Sequence, residues 1–211
     1  KFDEVKNTKL RIYDKQIIEI TAKEALDKEI IPNKLIAYYL SLLVEFFNKT
    51  GISDKRTRLR RLSDDEKAFY SSVAFDFEVD TSFGWLELVA CNYRSDYDLL
   101  SHSNISKSNL YVMDNEEKVL PHIFELSLGI DRCIYSILEH SYFIDKEKDD
   151  RVLLKLKPYL SPIQAGILPL LKKEEFKSKS MDLLSLVKKD FDVFYDESGS
   201  IGRRYRRLEE I

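Results

Sequence analysis

A carboxylate, a hydroxyl and an arginine lie close together near the middle of this 211-residue sequence. Glu125 and Ser127 belong to an apolar run, Leu120 to Leu128, whose residues favour an extended chain. Side chains two positions apart on a strand point the same way, so Ile123, Glu125 and Ser127 are predicted to form one row of a strand. The opposite row is predicted to hold His122, Phe124, Leu126 and Leu128.

A helix is predicted to begin directly after this strand. Beyond Gly129, apolar residues recur at helical spacing from Ile130 to Tyr142. Arg132 then lies in the first helical turn, where unpaired backbone amides already create positive potential and an added cation is unfavourable. We therefore expect an anion beside it. The anion is either a carboxylate such as Asp131 or Glu139, or a polyphosphate held by the guanidinium and the helix N-terminus together.

A second carboxylate falls in another predicted strand, Trp85 to Asn92. Strict alternation places Glu87 on one face with Val89 and Cys91. Both faces are apolar apart from Glu87, a pattern typical of a strand that is buried on both sides. A lone carboxylate there needs a cation, hydrogen bonds or a proton. Two interpretations remain: an ion pair with an arginine such as Arg94, or retention for an ammonium ligand.

These segments resemble the class II aminoacyl-tRNA synthetases, and within that class the glycyl-tRNA synthetases. The run ELSLGIDR, Glu125 to Arg132, resembles the third class II motif, whose arginine contacts the γ-phosphate of ATP. The run FGWLELVACNYRSDYDL, Phe83 to Leu99, resembles the glycine-site strand and the turn after it. The run DESGSIGRRYRRLEEI, Asp196 to Ile211, resembles part of the anticodon-binding domain. The matches occur in the family's order.

The resemblance implies roles for individual residues. Glu87, Glu125 and Ser127 would bind the glycine ammonium group. Arg132 would act as the catalytic residue on the ATP γ-phosphate, and Glu125 would also contact ATP. The implied cofactor is ATP with Mg²⁺, with no metal bound by side chains beyond MgATP. The first and second class II motifs are not found, so we expect a chain that is inactive alone.

Some positions depart from the family pattern. Ala90 stands where the family usually has glycine, Tyr93 where it has a small acidic or amide residue, and Leu126 where it has proline. Arg94 and Asp98 follow in a turn that lines the active site in the family, and the resemblance implies the same position for them. The departures leave a rival open, a non-catalytic synthetase-like protein that binds nucleic acid or acts as an accessory subunit. A sister synthetase for histidine, proline or threonine fits the two carboxylate-bearing strands less well.

Composition narrows the class of protein. Hydrophobic residues make up 44% and charged residues 34%, as in ordinary soluble domains. We find no apolar run of the length that a membrane span requires, and so predict no membrane association. The spacing of the two cysteines and three histidines predicts no zinc site. The cysteines fall in apolar segments, which fits buried thiols in a reducing cytoplasm.

The basic residues are concentrated toward the end of the chain. Residues 151–211 hold 13 Lys/Arg and 9 Asp/Glu, a net charge of +4, whereas residues 1–150 carry −7. The basic end is therefore the better candidate for an RNA-facing surface. A glycine-containing turn, residues 199–202, precedes a cluster of arginines and either cradles a phosphate or opens a helix with a solvated basic face. The candidate tRNA-binding arginines are Arg203, Arg204, Arg206 and Arg207.

Overall, the sequence predicts an α/β protein with two parts. The charged run Asp145 to Arg151 is interpreted as a linker. Residues 1–148 are assigned to the C-terminal portion of a class II catalytic domain, α+β in character, with an antiparallel sheet flanked by helices. Residues 149–211 are assigned to a partial α/β anticodon-binding domain, in which alternating strands and helices predict a parallel layer. The chain begins at Lys1 rather than methionine, and we expect it to be a piece of a longer protein.

Local patterns predict the remaining elements. Lys9 to Ile20 is predicted to be a strand that turns at Asp14 and Lys15, and Asn33 to Lys49 an amphipathic helix. The basic run Lys55 to Leu62 either forms a solvated surface or presents arginines on one strand face to tRNA or an acidic neighbour. The capping-box pattern from Ser63 to Glu66 predicts a short helix toward Phe75. A hairpin is predicted around Asp114 and Asn115.

The resemblance implies one reaction for the complete protein, that of a glycine-tRNA ligase. The carboxylate of glycine would attack the α-phosphate of ATP to give glycyl-adenylate and pyrophosphate, and the glycyl group would then pass to tRNA(Gly). The implied partners are glycine and tRNA(Gly), and the complete protein would be a cytoplasmic homodimer.

Overall fold

The structure, a computed structural model, describes residues 1–147 and 150–210. The chain divides into two units, Lys1–Ser136 and Ile137–Ile211. The boundary expected between residues 148 and 149, and the centre of the expected linker, lie outside the described residues. No helix in the described ranges has both the length and the apolar character needed to cross a bilayer.

The first unit is built on a mixed sheet with the strand order β2-β1-β3-β4-β5-β8. Neighbouring strands run antiparallel except β1 and β3, which are parallel. The antiparallel sheet expected from the sequence is therefore present with one parallel pair. A separate hairpin, β6 and β7, forms at the predicted place. The strands are β1 Lys9–Asp14, β2 Gln16–Thr21, β3 Thr57–Arg61, β4 Val73–Thr81, β5 Gly84–Ser95, β6 Val112–Asp114, β7 Glu117–Val119 and β8 Ile123–Leu128.

Helices flank this sheet, and α3 supplies much of its core. The helices are α1 Phe2–Val5, α2 Ala22–Asp27, α3 Lys34–Thr50, α4 Tyr97–Ser106 and α5 Ile130–Ser141. Helix α3 begins where the Asn33 side chain accepts a hydrogen bond from the Ile36 amide, and it ends at Gly51 with a φ of 98°. Its Phe47 stacks on Phe77 of β4 with ring centroids 4.5 Å apart. Burying each such ring contributes about 2–3 kcal/mol.

The two faces of the sheet differ in chemistry. On β4, Phe75, Phe77 and Val79 are buried in the core. The alternate residues Asp76 and Glu78 therefore belong to the other face. The cross-strand register aligns them with charged residues of β3. One face of the sheet is thus a core and the other is a polar surface, which we call the polar face.

A β-bulge in β5 corrects the predicted faces of that strand. Phe77 pairs with Val89 and Glu78 with Glu87, so Leu88 is an extra residue without a partner on β4. Val89 and Leu88 are both buried, whereas Glu87 shares the polar face with Glu78. The prediction that Glu87 shares a face with Val89 and that the strand is buried on both sides is therefore wrong, because the bulge shifts the alternation.

The helix predicted after Ser63 is also absent from this fully described segment. The Glu66 carboxylate does accept hydrogen bonds from the Ser63 amide (3.2 Å) and hydroxyl (3.0 Å), as in a capping box. It also pairs with Arg60, which holds the segment as a turn before β4 begins at Val73.

The second unit contains a strand–helix–strand arrangement. Strands β11 and β12 pair in parallel, with α6 between them in the chain, and this confirms the predicted parallel layer. Helix α7 packs closely on β11 at Gly166, where a Cβ atom would lie 2.0 Å from Leu208. Strands β9 and β10 form an antiparallel pair. The elements are β9 Tyr142–Asp145, β10 Arg151–Leu154, β11 Ala165–Ile167, α6 Glu174–Val187, β12 Val193–Tyr195 and α7 Ile201–Glu209.

Candidate active site

The adjacent strands β5 and β8 bring the predicted glycine ligands onto the polar face. Glu125 pairs with Asn92, and Ser127 pairs with Ala90. The alternate residues of β8, among them Leu126, pair with the core side of β5 at Cys91. The predicted rows of β8 are therefore confirmed.

The strand-to-helix junction is fixed by its backbone. The Gly129 amide donates to the carbonyl of Leu88, the bulged residue of β5, at 3.1 Å, and the Cys133 amide donates to the Gly129 carbonyl at 3.0 Å. Helix α5 therefore starts at the β5 bulge. Its first turn carries Arg132 beside Glu87.

Arg132 and Glu87 pair with each other. Arg132 Nη1 donates to the Glu87 carbonyl oxygen at 3.0 Å and lies 3.6 Å from Glu87 Oε1. The side chains are 53% and 44% exposed, so their attraction is screened and contributes only about 0–1 kcal/mol. The carboxylate beside Arg132 is thus Glu87, and the cation beside Glu87 is Arg132 rather than Arg94. A weak, open pair of this kind can exchange its partners for a phosphate and an ammonium group.

Arg94 is held much more firmly, at the other end of the site. Its Nη1 donates to Glu125 Oε2 at 2.9 Å, and its Nη2 donates to Asp98 Oδ1 at 2.9 Å. Its guanidinium carbon lies 4.0 Å from the centre of the Tyr70 ring. The hydrogen bond to Asp98, and then that to Glu125, raises the pKa of Arg94 above its ordinary value. The turn predicted to line the site is therefore attached directly to Glu125.

An acidic row on β4 was missed in the sequence. Asp76 and Glu78 lie beside Glu87 on the polar face, and burial, followed by the charges of Glu87 and Glu78, raises the pKa of Asp76 to about 6. The alternation of β4 between aromatic or aliphatic residues and acids contained this signal.

The basic run on β3 faces that acidic row. Arg58 Nε lies 2.6 Å from Glu78 Oε2, and its guanidinium lies over the rings of Tyr13 and Trp85 at 4.3 and 4.0 Å. Arg60 pairs with Asp76 at 3.5 Å. Of the interpretations open for this run, the acidic neighbour is the one present.

The four arginines of α7 fall into two groups. Arg204 is buried and donates to the carbonyls of Pro169 and Gly199. Arg207 pairs with Asp196, and this hydrogen bond, with one from the Ser198 amide, lowers the pKa of Asp196 to about 2. Both arginines thereby brace the turn at Gly199, whose φ is +70°. Arg203 and Arg206 are exposed, and among the described residues neither side chain forms a hydrogen bond with this turn. Arg206 Nε lies 3.5 Å from Glu210 Oε1.

No group of three or more His, Cys, Asp or Glu side chains within residues 1–147 and 150–210 is arranged to hold a metal ion. The donor types that are present on the polar face suit other ligands. Carboxylates and a hydroxyl suit an ammonium group, and a guanidinium at a helix N-terminus suits a phosphate.

Several known proteins that are similar to this chain are glycine-tRNA ligases. A glycine-tRNA ligase of Archaeoglobus fulgidus is 32% identical over 92% of this chain and 47% of that protein. The glycine-tRNA ligase of Pyrococcus abyssi is 32% identical over 100% of this chain and 52% of its own length, and that of Clostridium tetani is 39% identical over 95% and 43%. No family model matches the chain.

The fold and these relatives place the chain among the class II aminoacyl-tRNA synthetases. Within that class, the chain belongs to the glycyl-tRNA synthetase family. It spans about half the length of the curated relatives it matches.

Proposed function

We propose that the complete protein containing this chain is a glycine-tRNA ligase, and that the polar face at β5, β8 and α5 supplies its glycine and ATP contacts. One observation carries the proposal. Glu87 is distant in sequence from Glu125, Ser127 and Arg132, yet its strand β5 pairs with β8, which carries Glu125 and Ser127, and Arg132 at the start of α5 pairs with Glu87 itself.

In this proposal, glycine binds through its ammonium group. Glu87 and Glu125 are carboxylates on adjacent strands of the polar face, and each would attract the ammonium group. Ser127, on the same row as Glu125, adds a hydroxyl acceptor. The glycine carboxylate would then be oriented toward the α-phosphate of ATP, so that these side chains act by positioning.

Arg132 would bind the γ-phosphate of ATP. The guanidinium and the first amides of α5 together form a site for the γ-phosphate. The half-exposed Glu87 would then lose its contact with Arg132 and would bind the glycine ammonium group. Negative charge along the triphosphate would be neutralised by the Mg²⁺ that accompanies ATP. Arg132 is the catalytic residue of the proposal, because it would touch the nucleotide.

The departures from the family pattern lie in different places relative to this site. Tyr93 pairs with Phe124, on the row of β8 opposite to Glu125. Ala90 pairs directly with Ser127 on the polar face. The rival function, a non-catalytic synthetase-like protein, is favoured by Ala90, since its methyl group lies on the face that would receive substrate.

We also propose the wider assignments as parts of the same function. Residues 1–148 would belong to the catalytic domain of a cytoplasmic homodimer, and residues 149–211 to the anticodon-binding domain. Arg203 and Arg206 would contact tRNA(Gly), while Arg204 and Arg207 hold the turn that presents them.

Glycine-dependent exchange of pyrophosphate into ATP tests the proposal. The complete gene product is compared with the 211-residue chain. We expect exchange by the complete product and none by the shorter chain, because the first two class II motifs are missing from it. A folded complete product that shows no exchange would instead favour the non-catalytic rival.

A further inference from the structure

Arg94 occupies an irregular position in β5. Tyr93 pairs with Phe124 and Ser95 pairs with Ile123, so Arg94 is an extra residue without a partner on β8. Ser95 has a positive φ of 51°, which is uncommon for a residue with a side chain. Bulges of this kind redirect a side chain. Here the redirected side chain reaches Glu125 on the neighbouring strand.

Two further groups hold the redirected arginine. Asp98, in the first turn of α4, contacts Nε at 2.6 Å and Nη2 at 2.9 Å. The Tyr70 ring lies against the guanidinium. The Arg94 and Asp98 side chains are only 23% and 18% exposed, so solvent screens their attraction less than it does at Arg132.

The position of Tyr70 is itself fixed by the end of the β3–β4 connection. The Ser71 hydroxyl donates to Asn92 Oδ1 at 3.0 Å, and the Ser72 amide donates to the Tyr93 carbonyl at 2.9 Å. Phe69 packs edge-on against Tyr70, with ring centroids 5.2 Å apart. The connection is thus tied to β5 immediately beside Arg94.

We propose that Tyr70 is a positioning residue for glycine recognition. Its ring holds the Arg94 guanidinium, and Arg94 in turn holds Oε2 of Glu125, which fixes the carboxylate that receives the glycine ammonium. The inference rests on the proposed function. Tyr70 lies in a segment that none of the family motifs covers. It acts on Glu125, the proposed ligand of the glycine ammonium group, only through Arg94.

The test measures KM for glycine and KM for ATP in pyrophosphate exchange by the complete gene product. Tyr70→Leu removes the aromatic face, and we expect KM for glycine to rise about 3- to 10-fold, with KM for ATP unchanged. Tyr70→Phe keeps the ring and should behave as wild type. Tyr159→Leu, at an exposed tyrosine of the second unit, is the matched control. Asp98→Asn weakens another contact that holds Arg94, and it should likewise raise KM for glycine while KM for ATP stays unchanged.

The role of Tyr70 and the proposed function are contradicted by different outcomes of this experiment. Wild-type exchange with an unchanged KM for glycine in Tyr70→Leu, or an equal rise in both KM values, overturns the role of Tyr70 alone. If Tyr70→Leu does not fold, Tyr70→Met, which also removes the aromatic ring, decides by the ratio of KM for glycine to KM for ATP. A folded wild type without exchange overturns the proposed function and this inference together.

Discussion

The two ends of the candidate site each contain an arginine paired with a proposed glycine ligand, but the pairs are built differently. At one end Arg94 is enclosed by Asp98, Glu125 and the Tyr70 ring. At the other end Arg132 meets Glu87 at 3.6 Å, with both side chains about half exposed. The enclosed pair is suited to hold a fixed shape, whereas the open pair is suited to exchange partners when charged substrates bind.

The largest expected effect is on catalysis at the open end. Arg132→Ala should lower glycine-dependent exchange by the complete gene product about 100-fold or more, because it removes a charge aimed at the nucleotide. The free energy of unfolding should change by less than about 1 kcal/mol, as for other exposed pairs. The control is Arg56→Ala, which breaks a similarly exposed pair with Asp80. A variant that unfolds instead would make Arg132 a structural residue.

At the enclosed end, the corresponding change should affect stability. Arg94→Ala leaves Asp98 and Glu125 without their shared cation, and we expect its free energy of unfolding to fall further than that of Arg132→Ala. Urea unfolding of Arg94→Ala beside Arg132→Ala measures the difference directly. Equal stabilities of the two variants would remove the distinction between the ends.

Stability is expected to depend on pH through Asp76, because burial, followed by the charges of Glu87 and Glu78, raises the pKa of its carboxyl group. Its pKa is raised from 3.8 to about 6 in the folded protein, so the unfolded chain ionises first. Stability contributed by the protonated form is therefore present at low pH and is lost as the pH rises from about 4 to about 6. Asp76→Asn should be more stable than wild type by roughly 1–3 kcal/mol at pH 8, and the difference should vanish below about pH 4. Asp114→Asn, on an exposed strand, is the control, and a difference independent of pH would contradict the assignment.

Much of the fold could be predicted because its signals are local. The turn at Lys15, the Asn33 cap, the apolar stripe of α3 and the switch from strand to helix at Gly129 depend on neighbouring residues alone. The placement of Glu125 and Ser127 on one row followed from the strand period. The sequence does not predict helix α4, Tyr97–Ser106, because this segment lacks a periodic apolar stripe.

The partners in the site could not be predicted in the same way. The bulges at Leu88 and Arg94 arise from pairing with other strands, and no property of the β5 sequence alone reveals them. They decide which face Glu87 occupies and which carboxylate Arg94 reaches. Consequently the sequence identified the charged residues of the site, and it offered an arginine such as Arg94 as one possible partner of Glu87, whereas the structure pairs Glu87 with Arg132.

The most direct test of the central claim concerns Glu125, which the enclosed end holds in place. Glu125→Gln keeps the size of the side chain and removes the charge proposed to bind the glycine ammonium group. Glycine-dependent pyrophosphate exchange by the complete gene product should show KM for glycine raised about 10-fold or more, with a much smaller change in KM for ATP. Glu117→Gln, on the exposed hairpin strand β7, should match wild type. An unchanged KM for glycine in Glu125→Gln would contradict the account.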